Sequence, residues 1–300
     1  QNLHQRATEV VEALAVRRLR RAGVSVLAFC LYKYFPWGGL PRDMLRIARE
    51  CVRRGYRIRV YAMGWQGECP DGIERVQVPA RGMSNHGRYE RYHAWVREHL
   101  AAHPATLVVG FNKMPGLDVY FAADGCYQHK ARRLRNVLYR ATSRYHTLTA
   151  HERAVFGPES PTHALLLTKA QKAQFQHYYG TQEDRLHLLL PGVSPDRVRP
   201  QDAEAVRRRR RAELGLGPED RMLLLVGSGF VTKGLDRALA ALAHLPAPLR
   251  TRSRLYVIGQ DKAAAFRRRA RRLGIGDRVE FLGGRDDVQA FMLAADVLVH

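Results

Sequence analysis

Short apolar runs alternate with amphipathic stretches along most of the chain, and this alternation restricts the fold more than any other feature of the sequence. Predicted strands cover residues 24–30, 58–62, 107–111, 119–123, 164–168, 186–190, 222–226, 255–258, 279–282 and 296–300. Predicted helices cover residues 40–54, 89–102, 169–179, 202–214, 234–245, 263–273 and 288–294, and a long basic and aromatic helical stretch covers 132–156. Buried apolar strands between amphipathic helices predict parallel sheets in an α/β fold.

The alternation is interrupted by the segment 191–200, which holds three prolines and a glycine. Because proline and glycine break regular structure, we interpret this segment as a linker between two Rossmann-like domains over 24–192 and 193–300. Residues 1–23 are interpreted as a basic N-terminal extension whose arginine-rich helix lies outside the fold. The sequence begins with Gln1 and ends at His300, directly after a strand-like run, so we expect the second domain to be truncated.

The formal net charge is +22, from 50 basic and 28 acidic residues. Such a surface attracts nucleic acids, anionic lipid headgroups or phosphorylated substrates, and a solvated arginine-rich surface explains the charge equally well. No apolar run approaches the roughly 18 residues of a membrane span, and residues 1–21 lack the apolar core of a secretory signal. The four cysteines form no CxxC pair, which indicates reduced thiols in a cytoplasmic protein.

In open parallel sheets, ligands bind at the carboxyl ends of the strands, so the loops there are the first candidates for a site. The first predicted strand is followed by a loop that ends in Gly38 and Gly39, directly before a helix. Paired glycines at a helix N-terminus let backbone N–H groups approach an anion, and the helix dipole favours the negative charge. The loop lacks a GxGxxG pattern, and taken alone it is better explained as an ordinary glycine-rich turn.

The corresponding loop of the second domain combines glycines, hydroxyls and one cation in Gly227, Ser228, Thr232, Lys233 and Gly234. The glycines permit a tight backbone path, and Lys233 stands just before the next helix, which suits a phosphate group. The order of glycine and lysine is the reverse of that in a P-loop. The alternative is a surface loop with one lysine, but one phosphate-type loop in each domain favours a donor diphosphate as ligand.

Further polar residues follow other predicted strands. Asn112 and Lys113 are candidates for an acceptor-side site. Asp43, on the first helix, and Asp118 are carboxylate candidates, although a solvated or capping aspartate is the more common outcome. A turn before the last predicted helix could meet a nucleotide base or simply cap that helix; it comprises Arg285, Asp286, Asp287 and Val288. We find no metal-ligand cluster and no Ser-His-Asp arrangement, so we expect neither a metal nor another cofactor.

Basic residues are interleaved with apolar and aromatic ones between 132 and 145, which is typical of a helix that binds an anionic membrane surface. The candidate membrane-facing residues are Arg132, Arg133, Arg135, Tyr139, Arg140 and Arg144. The same pattern suits nucleic acid, or a helix packed on its own domain. We favour the membrane surface.

Long motifs in this chain resemble those of the bacterial lipopolysaccharide core glucosyltransferase I family. They are FCLYKYFPWGGLPRD at 29–43, GFNKMPGLDVYFAAD at 110–124 and the segments 227–237 and 257–262. The resemblance implies a GT-B fold, a UDP-glucose donor and a phosphorylated heptose of the lipopolysaccharide inner core as acceptor. It also implies retention of the anomeric configuration without a metal, and peripheral attachment at the inner face of the cytoplasmic membrane.

Carried over by position, the resemblance gives each candidate a role. It places Gly38, Gly39 and Asp43 by the donor sugar and phosphates. It makes Lys233 the cation that binds the diphosphate, and Asp43 and Lys233 the catalytic candidates. Residues 285–288 would lie near the uridine, and Asn112 and Lys113 on the acceptor side.

The chain departs from the family at three places, the first being that its first twenty or so residues precede the family's usual start. Some relatives carry a second cation beside the loop lysine, where this chain has Val231 and Thr232, so Lys233 carries more of the charge. Relatives also continue past His300 into a glutamate-bearing loop and helix that hold the donor sugar. The alternatives are a GT-B transferase for another nucleotide sugar or acceptor and, more remotely, a nucleic-acid-binding protein.

Overall fold

Each half of the chain is built around its own parallel sheet. The computed structural model describes residues 3–22, 25–36, 38–189 and 198–300, and the chain divides into two compact units, Gln1–Val193 and Ser194–His300. The strands of the first unit are β1 (Val26–Cys30), β2 (Lys33–Tyr34), β3 (Arg57–Ala62), β4 (Gly64–Trp65), β5 (Ile73–Gln77), β6 (Leu107–Gly110), β7 (Val119–Ala122), β8 (His163–Leu166) and β9 (Leu186–Leu188). Its helices are α1 (Leu3–Ala22), α2 (Gly39–Arg53), α3 (Asn85–Ala102), α4 (Tyr127–Leu134), α5 (Ser143–Phe156) and α6 (Lys169–Tyr179).

The main sheet of the first unit has seven strands in the order β5-β3-β1-β6-β7-β8-β9, and every pair of neighbours is parallel. Alternate residues of β1 serve opposite faces, as the two-residue period of a strand requires. Leu27 and Phe29 pack in a cluster with α1 and α2, whereas Ala28 and Cys30 pack in a cluster with α3, α5 and α6. Both faces of the sheet are therefore covered, and the loops at the carboxyl ends of its strands are the expected place for a ligand site.

The second unit repeats this plan on a smaller scale. Its strands are β10 (Arg221–Val226), β11 (Ser253–Ile258), β12 (Val279–Gly283) and β13 (Val297–Leu298), in the parallel order β12-β11-β10-β13. Its helices are α7 (Ala203–Glu213), α8 (Leu235–His244), α9 (Ala247–Arg252), α10 (Ala264–Arg272) and α11 (Val288–Ala294). Leu225 and Val257 pack on one face and Leu224 and Tyr256 on the other. The predicted α/β class with parallel sheets is confirmed, and each of the ten predicted strands has a counterpart.

Helix α1 packs into the core of the first unit, so the prediction of a helix outside the fold was wrong. Leu3, Ala7, Val11 and Ala15 recur every four residues, and all four are buried with α2 and the strands in one hydrophobic cluster. This spacing places them on one helix face. The sequence did not indicate this buried face because two of its four residues are alanines and because arginines dominate the composition of α1.

Other differences concern boundaries and short elements. The helical stretch predicted over 132–156 is divided into the end of α4, a 3-10 helix at Val137–Ala141 and α5. Helix α9 and strands β2, β4 and β5 were not predicted, because each is short or half-exposed and lacks a clear apolar period. The predicted linker lies largely outside the described residues. Within the described part of the chain, no helix is both long enough and apolar enough to span a bilayer.

Candidate functional site

Helix α2 begins after the loop that follows β1, and no side chain of the described residues caps its N-terminus. Gly38 is its N-cap residue, and the N–H of Gly38 itself donates to the carbonyl of Phe35 at 3.1 Å. A Cβ at Gly38 would lie 2.5 Å from Phe35 Cε2, whereas a Cβ at Gly39 would meet no atom within 4 Å. Glycine is therefore required at 38 by packing, while the helix N-terminus is open at 39. Its N–H groups and the positive end of its dipole suit an anion.

Asp43, the predicted catalytic carboxylate, lies one turn further along α2 and contacts α1. His4 Nε2 is 2.9 Å from Asp43 Oδ1, and His4 is buried while the side chain of Asp43 remains 28% exposed. The structure thus groups Gly38, Gly39 and Asp43 on the first turns of one helix. It also gives Asp43 a protein partner that the sequence did not predict.

Asn112 and Lys113 lie in the loop after β6, beside the segment that follows β1, because β1 and β6 are neighbours in the sheet. Asn112 Oδ1 accepts a hydrogen bond from the N–H of Tyr32 at 2.8 Å. The ammonium of Lys113 has two protein partners: it is 2.7 Å from Glu152 Oε1 and donates to the carbonyl of Gly125 at 2.8 Å. With a side chain only 12% exposed, Lys113 holds this loop in place from inside the unit.

The candidate membrane-facing residues lie in residues 127–145, which we call the basic segment. The side chains of Leu134, Val137 and Leu138 are 65%, 72% and 80% exposed, although they are apolar. Cations surround them, since Arg132, Arg133, Arg135 and Arg144 are exposed, whereas Tyr139 and Arg140 are half-buried. These apolar side chains are therefore not packed into the core of their own unit. The basic segment combines positive charge with exposed apolar area over one short stretch.

In the second unit, the loop after β10 packs tightly on the loop after β11. Gly227 has a φ of +137°, and its N–H donates to the carbonyl of Ile258 at 2.8 Å. Ser228 Oγ accepts from the N–H of Gln260 at 3.1 Å. A Cβ at Gly259 would lie 2.4 Å from the carbonyl oxygen of Gly227, so no side chain fits there. The sequence identified Gly227 and Ser228, but the requirement at Gly259 was missed because it depends on two loops.

Lys233 lies at the N-terminus of α8, where, as at α2, no side chain of the described residues caps the first N–H groups. Gly234 is the N-cap residue with a φ of +74°, which favours glycine. The side chain of Lys233 runs along the loop, since a Cβ at Gly227 would lie 2.8 Å from Lys233 Cε. Among the described residues, no carboxylate forms a salt bridge with Lys233. Its cation and the helix N-terminus are thus brought together for an anionic ligand.

A second cation, Arg237, which sequence reasoning missed, lies at the same N-terminus. A Cβ at Gly234 would be 2.4 Å from a terminal guanidinium nitrogen of Arg237, so this side chain folds back over the N-cap. Arg237 is 75% exposed, and its nearest carboxylate, Asp236, is 3.9 Å away. An arginine one turn after Gly234 was the available signal. Arg237 therefore adds a second positive charge beside Lys233, although the neighbouring Val231 and Thr232 carry none.

A cavity of about 300 Å³ adjoins this loop at the carboxyl edge of the second sheet. It is lined by Phe230, Gly259, Gln260, Asp261, Ala263, Arg267, Phe281, Gly283 and Gly284. Asp261 Oδ2 accepts from the N–H of Phe230 at 2.8 Å, and this bond, with one from the N–H of Lys262, lowers the pKa of Asp261. Phe230 and Phe281 give the lining aromatic surface, and Gln260 and Asp261 give it polar groups, a combination that suits a planar heterocycle.

The turn predicted to meet the nucleotide base is largely occupied with internal contacts. Arg285 donates to both carboxylate oxygens of Asp287, at 2.6 and 2.8 Å, and Arg210 donates to the same carboxylate at 2.7 Å. These bonds lower the pKa of Asp287. Asp287 stands at the N-cap of α11, but its side chain makes no capping bond, so the predicted cap was wrong. Asp286 is exposed, Val288 is half-buried, and the adjacent Gly283 and Gly284 line the cavity.

Known proteins resemble this chain in sequence and in fold. Residues 206–300 match the family model of glycosyl transferases group 1. The chain is 48% identical over 275 residues to lipopolysaccharide glucosyltransferase WaaG of Escherichia coli (strain K12), which covers 92% of this chain and 74% of that protein. The crystal structure of WaaG, a glycosyltransferase involved in lipopolysaccharide biosynthesis, superposes with a TM-score of 0.88 over 91% of this chain and 74% of that one.

A more distant structural relative supports the fold alone. Alr3699/HepE of Anabaena, crystallised with UDP and glucose, is 17% identical and superposes with a TM-score of 0.65 over 92% of this chain and 73% of that chain. The GT-B class implied by the motifs is thus confirmed at the level of fold. At 48% identity over most of both chains, this protein belongs to the lipopolysaccharide glucosyltransferase family, within the group 1 glycosyltransferases.

Proposed function

We propose that this glycosyltransferase moves glucose from UDP-glucose to a heptose of the lipopolysaccharide inner core, with retention of configuration, at the inner face of the cytoplasmic membrane. The observation that carries the proposal is the uncapped N-terminus of α8 with Lys233, directly beside the cavity of the second unit. A diphosphate at this N-terminus would place its nucleoside at the aromatic cavity. The similarity to a lipopolysaccharide glucosyltransferase supports glucose as the sugar and lipopolysaccharide as the acceptor.

The proposed chemistry needs negative charge on the leaving diphosphate to be stabilised. Lys233, the N–H groups of α8 and the exposed guanidinium of Arg237 supply positive charge there without a metal. The bond between glucose C1 and the diphosphate oxygen breaks while the acceptor hydroxyl oxygen forms a bond to C1 on the same face. The proton of that hydroxyl passes to the leaving phosphate oxygen, so no protein nucleophile is required.

Turnover with a panel of UDP-, GDP- and ADP-sugars on defined lipopolysaccharide core acceptors tests the proposal. We expect transfer from UDP-glucose, in the presence of EDTA, to a core that ends in the heptose. Preference for another nucleotide sugar would leave the fold and the family intact but would overturn the proposed donor. Transfer to cores without the heptose would overturn the proposed acceptor.

We also propose that the basic segment binds the anionic membrane surface in which a lipid-linked acceptor lies. Exposed leucines and a valine among arginines can enter the headgroup region while the cations bind lipid phosphates. Nucleic acid would use the arginines, but it offers no apolar phase for Leu134, Val137 and Leu138. The exposed apolar residues therefore favour a lipid surface.

Binding to anionic vesicles is expected to be strong at low salt and to weaken as salt is added. Arg133→Ala is expected to weaken it roughly fivefold, because each basic residue near an anionic surface contributes about 1 kcal/mol. Leu138→Asp is expected to weaken it as well. Co-sedimentation with vesicles measures both effects, and Arg272→Ala and Leu249→Asp, on exposed positions of the second unit, are matched controls. Equal binding to neutral and anionic vesicles would contradict the proposal.

A further inference from the structure

The carboxylate of Glu152 lies at the centre of the first unit's polar interior. Its side chain is fully buried on α5, and both oxygens are saturated with donors. These donors are Lys113 Nζ at 2.7 Å, the N–H groups of Tyr127 and Gln128 at 2.8 and 2.9 Å, the hydroxyl of Tyr179 at 2.7 Å and Cys126 Sγ at 3.6 Å. A buried carboxylate is tolerated only with such a set of partners, so Glu152 holds each of these donors in place.

One of these donors, Lys113, belongs to the loop between β6 and β7, residues 111–118, which we call the acceptor-side loop. Lys113 reaches Glu152 through its side chain, while its carbonyl accepts from the hydroxyl of Tyr32 at 3.3 Å. The side-chain oxygen of the preceding residue, Asn112, accepts a hydrogen bond from the N–H of Tyr32. Tyr32 in turn stacks on Tyr89, with ring centroids 4.1 Å apart. The position of the loop at the carboxyl edge of the sheet therefore depends on the pair formed by Lys113 and Glu152.

A second group of donors belongs to the basic segment. Tyr127 and Gln128 are the first two residues of α4, and their N–H groups are among those that a helix leaves without an internal partner. Glu152 binds both, so it serves as the anionic cap of α4. The hydroxyl of Tyr127 is also 2.8 Å from that of Tyr139, which joins the start of the segment to its middle. The base of the basic segment is thus fixed to the same carboxylate as the loop.

We propose that Glu152 is a positioning residue for acceptor binding, because this one carboxylate sets the distance between the acceptor-side loop and the basic segment. The inference rests on the proposed function, in which the acceptor is anchored in the lipid surface that the basic segment binds. An anchored acceptor can reach only a fixed height above that surface. A loop displaced by about 1 Å would bind the acceptor in a less productive geometry. Displacements of this size lower the rate by up to roughly 100-fold.

The test compares three variants that each remove one partner of the same network. Glu152→Gln and Lys113→Met break the link to the loop, whereas Tyr179→Phe removes a donor from α6 that touches neither the loop nor the basic segment. In the full-length enzyme, with acceptor in anionic vesicles, the first two are expected to raise the KM for acceptor roughly tenfold. The KM for UDP-glucose should stay within about twofold, because the donor cavity lies in the second unit.

The double variant Glu152→Gln/Lys113→Met is expected to be no worse than the more severe single variant, since both remove one interaction. Tyr179→Phe should lower the midpoint of thermal unfolding and leave the KM for acceptor unchanged. Additive effects of the two substitutions, or an equal rise in KM from Tyr179→Phe, would show a general structural role and overturn the proposal. If Glu152→Gln does not fold, Lys113→Met provides the test. A folded Lys113→Met protein with an unchanged KM for acceptor would also overturn the proposal.

Amide hydrogen exchange separates this proposal from the proposed function. Whatever the substrate proves to be, Glu152→Gln or Lys113→Met should speed exchange in residues 112–117, and Glu152→Gln in 127–130 as well, while Tyr179→Phe should not. Unchanged exchange in these segments would overturn the positioning role even if glucose transfer is observed. Failure of the wild-type protein to use UDP-glucose, with the exchange pattern intact, would overturn the proposed function alone.

Discussion

Replacing Lys233 with alanine is expected to lower turnover by roughly 10²-fold or more, the effect of removing one charge-stabilising group from a preorganised site. Lys233 stands at an uncapped helix N-terminus and has no salt-bridge partner among the described residues, so its charge is available to a diphosphate. Steady-state turnover of UDP-glucose on lipopolysaccharide core, measured for the full-length protein, checks the prediction. A fall in kcat larger than the rise in KM would indicate charge stabilisation in the transition state.

Lys169→Ala serves as the control for this substitution. Lys169 is an exposed lysine of the first unit, at the first turn of α6, so its loss changes the net charge by the same amount without touching the loop. Turnover of this variant should remain normal. Near-normal turnover of Lys233→Ala would remove Lys233 from the mechanism and leave Arg237 as the cation of the site.

The second large effect concerns stability. Val11→Asp is expected to destabilise the first unit by roughly 3 kcal/mol or more, since it loses the burial of a valine and forces a carboxylate into an apolar cluster. Val11 is fully buried in the contact of α1 with α2 and the sheet. For a unit of this size, the midpoint of thermal unfolding should fall by roughly 6 to 12 °C.

Val16→Asp makes the same chemical change on the same helix at a residue that is 44% exposed. Its unfolding midpoint should change little, because surface substitutions usually stay within about 0.5 kcal/mol. Differential scanning calorimetry of both variants compares the two positions directly. Equal midpoints for Val11→Asp and the wild-type protein would mean that α1 contributes nothing to the core in solution.

The sequence predicted the strands whose residues are completely buried. Its predictions failed for elements that are only partly buried. Strands such as β1 and β7 are continuous apolar runs, which only a sheet covered on both faces explains. Strand β5 alternates with exposed charges at the sheet edge, so its pattern is no stronger than that of a loop. Helix α1 buries small residues, and its many arginines hide that stripe from any measure of composition.

For the site, the sequence revealed what local spacing encodes and missed what the tertiary structure brings together. Gly38, Gly234 and Lys233 could be found because they stand next to a predicted helix start. Arg285 was assigned to a ligand, although its carboxylate partner lies two residues away and binds it on both oxygens. The roles of Gly259 and Glu152 depend on residues more than twenty positions distant, and no local pattern reports such contacts.

The strand order of the first unit has a consequence for synthesis on the ribosome. Strand β1 emerges first, β3 and then β5 add to one side of it, and β6, β7, β8 and β9 follow in turn on the other side. Every strand of this sheet therefore meets an edge that has already left the exit tunnel, and none must wait for a later one or insert between two that are already paired. Because domains form from the N-terminus during translation, the sheet can grow outward from its centre, with little time for a bare edge to recruit another nascent chain.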